Sequence, residues 1–84
     1  MDITITRINK YKGVVTLKAF VDICYDKVIL KGFKIIEGQR GLFLANPSEK
    51  AKDGKYYDTV FFMDANEKLE IEKIAIEMYN KEAI

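Results

Sequence analysis

DANEKLEIEKIAIEMYNK, residues 64–81, is the stretch whose period decides the fold. Ile71, Ile74, Ala75 and Met78 recur at i, i+3, i+4 and i+7, the spacing that lines one face of a helix. Leu69 and Ile76 widen the stripe, and Glu70, Glu72, Lys73, Glu77 and Lys81 form the outer face. Asp64 stands three residues before Glu67, which is capping-box spacing with an acid in place of the usual Ser or Thr. The pattern predicts an amphipathic helix over 65–81 whose apolar stripe lies on a sheet.

The sequence before it runs at period two. Ile3 and Ile5 alternate with Thr4 and Thr6, giving a strand over 2–9. Lys10-Tyr11-Lys12-Gly13 reads as a tight turn. In the strand over 14–25, Val15, Leu17, Ala19, Val21, Ile23 and Tyr25 share one face, while Phe20 and Cys24 make the other only half polar. Asp26-Lys27 is a two-residue turn. A third strand over 28–37 has Val28, Leu30 and Ile36 on one side and Ile29, Phe33 and Ile35 on the other, which suits a central strand or a dimer contact. After a turn over 38–41, a fourth strand covers 42–45 and ends at Asn46-Pro47, where the ladder loses a donor. Asp53-Gly54 turns the following loop, and a fifth strand is expected over 56–62. Phe61-Phe62-Met63 then anchors the helix to the sheet, with a dimer contact as the other reading. Five strands and one C-terminal helix predict an α+β fold with a mostly antiparallel twisted sheet.

The 84 residues suffice for one domain, over 1–84. A chain this short buries only about 60–65% of its unfolded surface, so dimerisation is a natural remedy. No apolar run reaches the roughly 20 residues of a membrane span, and the N-terminus lacks the order of a signal peptide. A cytoplasmic protein is expected, in agreement with the single cysteine, Cys24. The absence of histidine removes the commonest general base and zinc ligand, so neither an enzyme nor a cofactor, metal or small-molecule substrate is expected. Asp53, Asp58 and Glu49 lack the spacing of a calcium loop.

Net charge is +1, but it is unevenly spread. Seven basic residues face two acids between Arg7 and Lys34, and six acids face three lysines between Asp64 and Ile84. Lys50, Lys52 and Lys55 fall in the loop after Pro47 and read either as phosphate contacts or as a solvated loop. Arg40, in a turn, offers a bidentate phosphate contact or is merely exposed. Asn66 and Lys68 stand at the helix N-terminus, where backbone N–H groups form an anion site or are simply capped. Tyr56 and Tyr57 offer a stacking face to an unpaired base, although strand alternation turns at least one of them inward.

Gly-Leu-Phe-Leu-Ala-Asn-Pro-Ser at 41–48, with Ile-Ile-Glu-Gly at 35–38, Asp53-Gly54, Asp58 and a terminal helix bearing Tyr79, resembles the stage V sporulation protein G (SpoVG) family. The resemblance implies a small bacterial regulator linked to septation and sporulation, homodimeric through sheet pairing. It implies binding of DNA and in some cases RNA through basic residues after Pro-Ser and at the start of the helix. Of the Lys-Arg pair that often follows Pro-Ser in the family, only Lys50 is matched, since Glu49 precedes it, while Lys52 and Lys55 are additional. Lys68 takes the place of the family's arginine at the helix start, with Glu67 and Glu70 beside it, and Phe61-Phe62 replaces the usual His-Pro. A diverged member is expected. The loss of basic residues and the Glu-rich helix leave a protein-interaction adapter as the alternative.

Overall fold

The computed structural model describes residues 2–11, 13 and 16–81. Its elements are β1 (Ile3–Lys10), β2 (Leu17–Tyr25), β3 (Val28–Gly38), β4 (Gly41–Ala45), β5 (Ser48–Lys50), β6 (Tyr56–Asp58) and α1 (Ala65–Lys81). The fold is α+β, with every strand pair antiparallel. β1-β2-β3-β4 form a four-stranded sheet in chain order, and β5-β6 form a separate two-stranded one. Lys12, Val14 and Val15, expected in the first turn and at the start of the second strand, lie outside the described residues. Among the described residues no helix is long and apolar enough to cross a membrane.

The helix has the bounds its periodicity predicts. The carboxylate of Asp64 accepts a hydrogen bond from the Asn66 backbone N–H at 2.8 Å, satisfying one of the donors left open by the first turn. Ile71 and Ala75 are fully buried, and Ile74, Met78 and Tyr79 pack around them. They cover one face of the sheet, where Ile5, Ala19, Val21, Ile23, Phe33, Ile35 and Leu44 complete the core. Two positions depart from expectation. Leu69 is exposed, because it lies about 200° around the helix from Ile71 at 100° per residue. Glu72, expected on the outer face, is half-buried against β4.

Simple alternation fails where the strands bulge. Between Val21↔Phe33 and Ile23↔Leu30, β3 advances three residues while β2 advances two. Gly32 lies within that step, with φ +97, a conformation suited to glycine. The extra residue inverts parity, so Leu30 joins Phe33 and Ile35 on the core side rather than facing away from them. Val28 and Ile29, at the strand's beginning, are exposed. A shift between Ile5 and Arg7 does the same in β1, bringing Ile8 to the core beside Ile3 and Ile5.

The expected fifth strand begins at Tyr56 but stops at Asp58, and it pairs outside the main sheet. Pro47 is buried and ends the main ladder, its side chain close against Gly32. The chain then makes its own hairpin, in which Ser48, Glu49 and Lys50 pair with Asp58, Tyr57 and Tyr56. The Thr59 N–H donates to the Pro47 carbonyl at 2.8 Å and closes the base of this hairpin. Residues beyond Asp58 leave the ladder because Val60 and Phe62 are drawn toward the core. Of Phe61-Phe62-Met63 only Phe62 anchors the helix, its ring 6.0 Å from Tyr25 and 6.1 Å from Phe33, whereas Phe61 and Met63 are exposed.

Candidate nucleic-acid interface

The β5–β6 hairpin gathers Lys50, Lys52 and Lys55 on one exposed element. Its turn is built by Asp53. One oxygen of that carboxylate accepts from the Lys55 backbone N–H at 2.9 Å, and the other from the Tyr57 hydroxyl at 2.7 Å. The Ala51 N–H donates to the Lys55 carbonyl, and the Gly54 N–H to the Ala51 carbonyl. Gly54 has φ +86, which the turn requires and glycine takes at low cost. The Tyr57 hydroxyl and then the Lys55 N–H hold the Asp53 carboxyl below the ordinary range, and the same Tyr57–Asp53 bond raises the Tyr57 phenol. Asp58 is engaged by the Asn46 side-chain amide at 3.2 Å. Among the described residues no ion pair occupies Lys50, Lys52 or Lys55, so the hairpin presents three cations to solvent.

Both hairpin tyrosines are exposed, Tyr56 by 68% and Tyr57 by 52%. The expectation that one would turn inward is corrected. A two-stranded ribbon standing apart from the main sheet has no covered face to receive either ring.

The other candidates lie elsewhere. Arg40 occupies the exposed β3–β4 turn, where Gly38, Gln39, Gly41, Leu42 and Phe43 line a shallow hollow beside it. Asn66 is exposed at the helix start, and its backbone N–H is already taken by Asp64. The Lys68 ammonium donates to the Leu44 carbonyl at 2.9 Å, while the Leu44 N–H donates to the Glu72 carboxylate at 2.9 Å. Two side chains one helical turn apart thus grip both polar groups of a single residue on the outer strand. They join helix to sheet and satisfy Leu44 on an edge strand that is otherwise open to pairing.

Charge counting did not single out Glu72, and its i, i+4 spacing from Lys68 was the available signal. Nor did it reveal that Glu67, rather than closing a capping box, accepts the Tyr25 hydroxyl at 3.0 and 3.1 Å. Desolvation foremost, and then that bond, raise the Tyr25 phenol above its ordinary range. At the far end of the helix, the Lys10 ammonium lies 4.8 Å from the centre of the Tyr79 ring.

The chain matches the SpoVG family model over residues 1–81. It is 35% identical over 82 residues to a relative from Clostridium perfringens strain SM101, covering 96% of this chain and 91% of that one. A relative from Agathobacter rectalis is 37% identical over 83 residues, covering 98% and 95%. One from Lachnospira eligens is 35% identical over 82 residues, covering 96% and 93%. All three carry names that describe septation rather than a reaction.

Proposed function

This chain belongs to the SpoVG family, and we propose that it is a regulator that binds nucleic acid through the phosphate backbone, as a homodimer, in the cytoplasm. The observation that carries the reading is the hairpin, where Lys50, Lys52 and Lys55 project from one element with no carboxylate paired to them among the described residues. Each lysine that neutralises a phosphate releases a condensed counterion, so affinity falls with salt. Three contacts per subunit make a modest site. Two copies joined together double it through effective concentration. Leu44 on β4 is already gripped by Lys68 and Glu72, so sheet pairing between copies is expected along the other edge, β1.

Polarisation of a labelled oligonucleotide at two salt concentrations tests this reading. Replacing Lys50, Lys52 and Lys55 together by alanine is expected to lower the salt slope by about 2–3 per subunit. No binding of DNA or RNA at low salt refutes the proposal. A protein-interaction adapter is the second reading, favoured by Phe61, Leu69 and the almost fully exposed Met63. A specific protein complex that survives nuclease treatment and is lost on Met63→Glu would favour it.

A further inference from the structure

We propose that the nucleic acid taken by this hairpin is single-stranded, with one unpaired base stacked on the Tyr56 ring and a neighbouring phosphate held by Lys50. This rests on the reading of the hairpin as a nucleic-acid surface and narrows its ligand. In the β5–β6 register Lys50 faces Tyr56, whereas Glu49 faces Tyr57. Directly opposed residues of an antiparallel pair share a face, with Cβ atoms about 4.5–5.5 Å apart. One face of the ribbon therefore joins a cation to an aromatic ring, and the other joins a carboxylate to one.

The two tyrosines also differ in what holds them. Tyr57 has a structural task, because its hydroxyl closes the turn onto Asp53. Among the described residues no side-chain hydrogen bond holds Tyr56, which is the more exposed of the two. A ring left in water beside an ammonium matches the two parts of a nucleotide, a flat apolar base and an anionic phosphate. In a duplex both faces of each base are covered by its neighbours. An unpaired base can lie on a protein ring, and it does so with little regard to sequence because every base has a π-face. Glu49 beside Tyr57 would repel the phosphate on the opposite face, so the reading selects Tyr56 alone.

The experiment measures polarisation with three ligands of equal length at low salt: labelled oligothymidine, a strand of base-free deoxyribose phosphates, and a duplex. The wild type is expected to bind oligothymidine most tightly. Tyr56→Ala is expected to weaken oligothymidine about five- to tenfold while leaving the base-free strand and the duplex unchanged. Tyr56→Phe keeps the ring and is expected to keep the affinity, which separates loss of stacking from damage to the hairpin. Tyr56→Trp is expected to lose fluorescence on adding oligothymidine and not on adding duplex. Equal weakening of all three ligands by Tyr56→Ala, no weakening of any, or tighter wild-type binding of duplex overturns the stacking proposal and leaves the backbone reading standing. If the wild type binds none of the ligands, and no RNA, both fall together.

Discussion

Replacing Lys68 by methionine asks whether its ammonium belongs to the fold or to a ligand. The group lies 2.9 Å from the Leu44 carbonyl, and both residues of the helical pair are half-buried. A hydrogen bond to a charged group contributes about 1.5–3 kcal/mol where water is excluded. Here water can reach the carbonyl once the lysine is gone, and methionine keeps most of the aliphatic stem in place. A loss of about 1–1.5 kcal/mol is therefore expected, at or just below the lower end of that range. In a domain of this size it corresponds to a fall in Tm of about 4–12 °C, measured by circular dichroism. Glu72→Ala is expected to cost a similar amount, because the Leu44 N–H loses its acceptor. Oligonucleotide affinity is expected to change little for either variant. If Lys68→Met leaves Tm unchanged but weakens binding and lowers the salt slope by about 1, the ammonium serves the ligand and the structural argument fails.

Gly32→Ala is expected to destabilise by more than about 1 kcal/mol in urea unfolding, because φ is +97 and the added Cβ would lie 3.4 Å from the Pro47 Cβ; an unchanged midpoint would count against the bulge. Acid is expected to loosen the hairpin before the core. Folding lowers the pKa of Asp53, so its contribution is complete above the unfolded carboxylate value of about 3.9 and is lost as pH falls through the lower folded value. Tyr57 works in the opposite sense. Its pKa is raised, so its contribution holds below about pH 10 and is lost as pH rises through the folded value. Amide shifts of residues 51–57 should report the acid transition, and Asp53→Asn should abolish it; an identical transition in that variant would refute the assignment.

The parts of the fold that repeat over several turns or residue pairs were legible in the sequence. Seventeen helical residues carry enough apolar repeats to set the bounds of α1, and Asp64 caps its start. β6 was expected as the start of a strand over 56–62, whereas β5, Ser48–Lys50, is three polar residues with no apolar alternation, so nothing in its composition separates it from loop. The bulges at β1 and β3 were hidden because counting by twos assumes that a strand never gains a residue. Gly32 was the one visible sign, since a glycine inside an apolar strand often marks such a step. At the candidate site, the grouping of Lys50, Lys52 and Lys55 followed from their closeness in sequence. The partner of Lys68 could not be read in that way, because an ammonium that reaches a backbone carbonyl across the fold leaves no local pattern.

The hairpin is anchored at its base by the Thr59–Pro47 bond, and its ladder is separate from the sheet that α1 covers. From Glu49 to Thr59 every side chain is exposed. Substitutions at such positions usually alter stability by less than about 0.5 kcal/mol, apart from those that build the turn. Lysines and aromatics can therefore come and go there while the rest of the molecule folds as before. A lineage carrying this scaffold can change the chemistry of that surface, one residue at a time, without passing through an unfolded ancestor.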